Sequence, residues 1–360
     1  LAGTPALIAT LMEMAGTNTV EISIGLVALG VVTGVLSHRF LRLPASVVAL
    51  AVGTSLGIWH RLPEMSSYTS GATTTVLFGT VGLRIGTSKT RLWAKEFSQR
   101  LPLGALLSLA LVFASLVAIG TGLRPAFLMA IAFMTSSVAL VGGATRGGTP
   151  LALSVAASDD LAGLAVILLL SPDKVVALVA AATLVSSTIA LSRSDGYQAL
   201  VLSGVTVVAL FMLRHLAPLT LIGPLAALSL GIPTGRHLFS RLHNSTEKIT
   251  TVLGQRVAAP VFFLAQGLKL HSLNSSTLKV AFVVVFGVIA SRAVWIVGRN
   301  RSIRLASATT ARGAVTFVTF AQALSKGMVA RSLQGVVIVA VLLSAAIAAL
   351  LLVSLAKVSL

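Results

Sequence analysis

The chain has 360 residues, of which 56% are hydrophobic and only 10% charged, with a mean hydropathy of +0.98. A soluble domain carries about 25% charged residues, so this balance excludes a soluble enzyme and leaves an all-α polytopic membrane protein whose apolar surface faces lipid. The excess of 27 Lys and Arg over 9 Asp and Glu gives a net charge of +18, but the bases fall between apolar runs. There they set topology and contact anionic lipids, and nucleic-acid binding is not expected. The chain has no cysteine, so thiolate metal sites and cysteine nucleophiles are excluded.

With about 17–25 apolar residues per helical span, the predicted spans in chain order are 20–38, 44–60, 69–86, 101–120, 124–144, 149–171, 173–192, 197–214, 215–232, 249–268, 279–298, 303–325 and 333–356, thirteen in all. Residues 1–19, with Glu13 in the middle, are too polar to span and form an N-terminal segment. Sixteen bases follow odd-numbered spans and eight follow even-numbered ones, the remaining three (Arg256, Arg292, Arg312) lying within spans. Cytoplasmic loops accumulate Lys and Arg, which places the N-terminus outside and the C-terminus in the cytoplasm.

The segment 41–58 resembles 215–232. Pro44 aligns with Pro218 and Ser55-Leu56-Gly57-Ile58 with Ser229-Leu230-Gly231-Ile232, at an offset of 174. A second echo pairs Phe78…Gly82-Leu83-Arg84-Ile85 with Phe263…Gly267-Leu268-Lys269-Leu270. Chance similarity between Leu/Ala-rich spans is the plain alternative. As a true repeat, the second and ninth spans differ by an odd number of crossings, so the copies run in opposite directions. The expected organisation is a six-span repeat over 20–171, a linker helix over 172–196 and a second, inverted six-span repeat over 197–360.

Seven of the nine acids lie in loops or at span ends, whereas Asp159 and Asp160 sit together about ten residues into the sixth span, at a depth of ~15 Å by helical rise. Each costs about 2.5–3.5 kcal/mol on an insertion scale, so the pair faces protein or a water-filled cavity. Two adjacent carboxylates repel, which raises at least one pKa and makes a proton-exchangeable site; a merely structural pair bridging helices is the alternative. None of the six histidines is near midspan to complete a catalytic metal site.

Arg292 in the eleventh span and Arg312 in the twelfth are the candidate counter-charges, Arg292 being the preferred partner of Asp159. Arg256, early in the tenth span, can snorkel. The fifth span reads Ala132-Phe133-Met134-Thr135-Ser136-Ser137-Val138 and the twelfth Ala308-Thr309-Thr310-Ala311-Arg312-Gly313-Ala314. Such Ser/Thr and Gly clusters release backbone carbonyls at midplane, and carbonyls and hydroxyls are hard ligands for a small cation; back-bonding within continuous helices is the alternative.

With these residues in place, the chain resembles the cation:proton antiporters, nearest to the NhaA-type and NapA-type Na+/H+ antiporters. Gly148-Thr149-Pro150-Leu151…Ser158-Asp159-Asp160-Leu161-Ala162-Gly163 is similar to that family's paired-aspartate helix. Leu77-Phe78…Val81-Gly82-Leu83 resembles its third-span element, Pro260-Val261-Phe262-Phe263…Gly267-Leu268 the counterpart in the second half, and Arg312-Gly313-Ala314-Val315 the crossed helix of the wider superfamily. The resemblance implies crossed, discontinuous fifth and twelfth helices, a mobile core beside a dimerisation domain, and a homodimer. It makes Asp160 the principal cation ligand and proton carrier, pairs Asp159 with the base of the eleventh span, and gives Thr135 a part in positioning the cation, with Ser136, Thr310 and Arg312 nearby. The NhaA-type pattern has Thr-Asp where this chain has Thr135-Ser136, and Lys where it has Arg292. An Arg does not release its proton in a protein, so the eleventh-span base carries fixed charge here.

The expected function is therefore monovalent cation (Na+, Li+ or K+)/proton antiport by alternating access, with cation and proton competing for Asp159-Asp160 and no cofactor or enzymatic turnover. Two alternatives remain open at this stage: a cation-coupled symporter of an organic anion on the same fold, and a non-transporting membrane subunit of a larger assembly.

Overall fold

Apolar runs that leave water must satisfy every backbone N–H and C=O internally, and a helix does so within one segment. A computed structural model describes residues 19–37, 44–60, 67–87, 101–136, 250–297, 303–325 and 327–358, with isolated positions between 178 and 234. Within these the elements are α1 (Thr19–Leu36), α2 (Ala45–His60), α3 (Ser67–Thr87), α4 (Leu101–Ala118), α5 (Leu123–Met134), a π-helix over Thr250–Ala258 running into α6 (Ala259–Leu268), α7 (Ser275–Val297), α8 (Ile303–Thr310), α9 (Ala314–Ser325) and α10 (Leu333–Val358). No strand occurs among the described residues. The predicted spans in these regions coincide with helices to within a few residues, apart from the interruptions described below. Apart from isolated positions, the spans predicted over 149–171, 173–192, 197–214 and 215–232 and the linker lie outside the described residues, and Asp159-Asp160 lie wholly outside them.

By length and composition, Ser275–Arg292 and Leu333–Leu352 are long and apolar enough to cross a membrane, and the other apolar helical stretches, such as Gly104–Ala118 and Gly71–Leu83, are shorter. The π-helix is followed at once by Pro260 in the first turn of α6. Proline has no N–H to extend a hydrogen-bonded ladder, so the change of helical period falls where the ladder is already interrupted. Arg256, on the π-helix, is exposed, as a snorkelling base would be.

The tightest packing is between α2 and α6. A Cβ at Gly267 would lie 2.6 Å from both Leu50 O and Thr54 N, and one at Gly57 would lie 2.7 Å from Leu268 O and 2.8 Å from Leu270 O. Side chains larger than hydrogen do not fit there, and the two backbones touch directly, as small residues permit in membrane helices. The second copy of the first echo does the same against α3: a Cβ at Gly231 would lie 2.8 Å from Leu83 N and 3.0 Å from Gly82 Cα. Gly57 thus seats on Leu268, and its aligned partner Gly231 seats beside Leu83, the residue aligned with Leu268. The two sequence echoes are reciprocal contacts in space.

The main core joins α4, α5, α6, α7, α9 and α10, with Phe133, Phe262 and Phe263 wholly enclosed. Phe262, Phe263 and Phe317 form a mutual edge-to-face cluster with centroid separations of 5.4, 6.1 and 5.9 Å, which ties α6 to α9.

Candidate functional site: two helix breaks and two buried arginines

The helix α5 ends at Thr135, whose φ of −77° and ψ of 144° are extended. Its hydroxyl donates back to Ala132 O at 3.1 Å, a side-chain bond that competes with helix continuation. In the second half the helix is lost over Ala311–Gly313, between α8 and α9. There Thr309 and Thr310 both donate to Ala306 O, at 3.3 and 2.8 Å, so α8 closes on its own hydroxyls. Arg312 N–H, which has lost its helical acceptor, donates to Ser344 Oγ of α10 at 3.3 Å, and Ser344 Oγ donates to Val341 O at 3.0 Å.

The two breaks meet. Ser136 Oγ donates to Thr309 O at 3.1 Å, and Thr135 Oγ1 lies 3.2 Å from Thr316 Oγ1 in the first turn of α9. Around this crossing both intramembrane arginines are enclosed, Arg292 at 1% exposure and Arg312 at 0%. Arg292 Nη2 donates to Ser136 Oγ at 3.2 Å, and Arg312 Nη1 donates to the same oxygen at 3.3 Å and to Thr309 O at 2.9 Å. Arg312 Nη2 donates to Ser108 Oγ of α4 at 3.0 Å, and Ser108 Oγ donates on to Phe133 O at 3.1 Å. Arg312 therefore fastens four segments together: its guanidinium reaches α4, the end of α5 and the end of α8, and its backbone N–H reaches α10.

The structure brings Thr135, Ser136, Arg292 and Arg312 together. Thr310 stands at the same break, but its hydroxyl turns back on its own helix. Asp159 and Asp160 are outside the described residues, so the expected pairing of Asp159 with Arg292 is likewise outside them. Ser108, Thr316 and Ser344 were not expected from the sequence; a lone hydroxyl in an apolar span gives no signal because it can satisfy itself on its own helix.

Chemically, the crossing holds two charges that do not titrate. Two positive groups converging on one neutral hydroxyl repel each other, and a buried charge is tolerated where opposite charge is close by. The crossing thus gathers two fixed positive charges, several hydroxyls and interrupted backbone in one enclosed place.

No protein-family model matches the chain, and no curated protein matches it in sequence. Among solved structures, it is similar to the sodium/proton antiporter MjNhaP1 from Methanocaldococcus jannaschii, with a TM-score of 0.62 and 16% identity over 94% of this chain and 99% of that one. That likeness extends over nearly the whole of both chains. The chain shares the fold of that sodium/proton antiporter.

Proposed function

We propose that the protein is an integral membrane, secondary-active monovalent cation/proton antiporter working by alternating access. The observation that carries this reading is the crossing of two broken helices around Arg292 and Arg312 in a chain with the fold of a sodium/proton antiporter. Broken helices enclosing a polar site are how transporters of this architecture place ions at midplane. Asp159 and Asp160 are the only acids deep in an apolar run, and they supply the negative charge that the two guanidiniums call for. Cation and proton then compete for Asp160 while Asp159 balances fixed positive charge. Thr135 helps to position the cation, and the transported ions need no cofactor.

The reciprocal seating of Gly57 and Gly231 supports the two inverted six-span repeats, here assigned to 20–171 and 197–360 with a linker over 172–196 and thirteen spans in total. The N-terminus is assigned to the outside and the C-terminus to the cytoplasm from the loop charges, with anionic lipids at the basic loops. A homodimer completes the proposal.

In proteoliposomes with a preset pH gradient, addition of Na+, Li+ or K+ is expected to dissipate the gradient with the intact protein and not with Asp160→Asn. Dissipation that survives in correctly folded Asp160→Asn would overturn the role given to the aspartate. A second reading, a cation-coupled organic-anion symporter, is favoured by one observation, the convergence of two guanidiniums on Ser136. Cation uptake that rises with an added organic carboxylate would select it.

A further inference from the structure

At the crossing, several oxygens at the two helix breaks are already engaged by hydrogen-donating groups. Ala132 O accepts from Thr135, Phe133 O accepts from Ser108, and Thr309 O accepts from both Ser136 and the Arg312 guanidinium, the latter at 2.9 Å. Ser136 Oγ accepts hydrogen bonds from two guanidiniums. A guanidinium within hydrogen-bond distance of an oxygen repels a metal cation brought to that oxygen, most strongly in a low-dielectric interior. Thr309 O and Ser136 Oγ are therefore poor ligands, although they stand at the breaks.

One pair differs. Thr135 Oγ1 and Thr316 Oγ1 lie 3.2 Å apart, both at 0% exposure, and none of the guanidinium hydrogen bonds described above reaches either. Thr135 gives its proton to Ala132 O, so within the pair Thr316 is the donor, and both oxygens keep lone pairs. An ion the size of Ca²⁺ sits about 2.3–2.6 Å from its oxygens, so two oxygens at this separation both reach one ion of that size at an angle of roughly 80°. Three residues further along α9, on the same helical face, Thr319 is 1% exposed and its Oγ1 has no hydrogen-bond partner.

That pattern differs from five of the described helical threonines, although Thr54 of α2 also has a buried hydroxyl without a partner. Thr33, Thr75, Thr80, Thr309 and Thr310 each donate to a carbonyl three or four residues back. Thr316 instead meets a hydroxyl across the crossing, and the Thr319 oxygen is left open although back-bonding was available to it. A buried hydroxyl without a partner costs desolvation free energy that is recovered only when something binds.

We infer that Thr316, with Thr135, directly ligates the transported monovalent cation, and that Thr319 supplies the next oxygen on its path along α9. The inference rests on the antiporter reading above and adds the second-repeat ligand to it. Neutral hydroxyls suit a weakly held monovalent ion, which must leave as readily as it arrives.

The test compares Thr316→Val, which removes the oxygen at nearly constant shape, with Thr316→Ser, which keeps it. In gradient-dissipation assays, Thr316→Val is expected to raise the cation concentration giving half-maximal rate by about tenfold while the maximal rate stays within about twofold, the split that identifies a lost ground-state contact. Thr316→Ser is expected to stay close to the intact protein, and Thr319→Val to show a smaller shift in the same direction. A folded Thr316→Val protein with unchanged apparent affinity and unchanged preference among Na+, Li+ and K+ would overturn the inference while leaving antiport standing.

If the intact protein dissipates no gradient, the antiporter reading fails, and thermal unfolding of purified protein in NaCl, LiCl or KCl against choline chloride decides the site by itself. Cation-specific stabilisation that Thr316→Val loses and Thr316→Ser keeps supports it; equal stabilisation of all three proteins, or none, overturns it. Thr316→Ala replaces Thr316→Val in both assays should the latter fail to fold.

Discussion

The hydroxyl of Ser136 donates to the carbonyl of Thr309 across 173 residues of sequence, at 3.1 Å and wholly away from solvent. Each residue marks the end of a helix, and the same oxygen of Ser136 receives both buried guanidiniums. The contact closes a break in one half of the chain with a break in the other.

Ser136→Ala removes an acceptor from two charged donors and a donor from Thr309 O. Hydrogen bonds to charged groups contribute about 1.5–3 kcal/mol each, so the variant is expected to lose roughly that much stability, read as a lowered unfolding midpoint in detergent. Ser136→Thr, which keeps the hydroxyl, should recover most of it. Equal midpoints for Ser136→Ala and the intact protein would show that the guanidiniums do not depend on this oxygen.

Arg312→Lys keeps the charge and loses the planar fork that reaches Ser108 on one arm and Ser136 and Thr309 on the other. An ammonium is a point charge and does not span these positions. A double-mutant cycle of Arg312→Lys with Ser108→Ala is expected to give a coupling of about 1 kcal/mol, within the range for residues in one hydrogen-bond network. Strict additivity of the two single losses would contradict the Nη2–Ser108 link.

Gly57→Ala and Gly267→Ala each push a methyl into backbone at 2.6–2.8 Å. Overpacking a filled site costs about 1–3 kcal/mol, and here the obstructing atoms are main chain and cannot rotate away. Gly120 makes the contrasting control: with φ of +84° and nothing within 4 Å, Gly120→Ala meets only backbone strain, on the order of 1 kcal/mol. Thermal unfolding should therefore rank Gly57→Ala and Gly267→Ala below Gly120→Ala, and the reverse order would refute the seam.

Phe317→Leu opens the aromatic cluster that joins α6 to α9. Loss of two edge-to-face contacts is worth about 0.5–1.5 kcal/mol each, so midpoints should fall while the hydrogen bonds at Ser136 persist. Gradient dissipation at fixed temperature, well below the midpoint, should change little.

What the sequence reveals and what it conceals follow from cost. Arg292 and Arg312 stand out because charge deep in an apolar run is expensive, and both are indeed enclosed and gathered at one place. The break over Ala311–Gly313 is legible from Arg312-Gly313 and the preceding threonines, and the break at Thr135 from its neighbouring hydroxyls. Ser108, Thr316, Thr319 and Ser344 carry no such signal, since a lone Ser or Thr is affordable anywhere on a membrane helix. The π-helix over Thr250–Ala258 is equally silent: its composition, TTVLGQRVA, suits either period. Gly57 and Gly231 are visible as an echo, but only the structure shows that each meets the other echo's helix.

The seam between α2 and α6 also constrains the gene. Every single-base change in a glycine codon that replaces glycine with another amino acid introduces a Cβ, and at Gly53, Gly57 and Gly267 a Cβ would collide with main chain. No conservative mutational step leads away from these positions. Saturation mutagenesis should therefore leave them nearly invariant among functional clones, while Gly122, where a Cβ would meet only the ring of Pro125 at 3.6 Å, drifts freely.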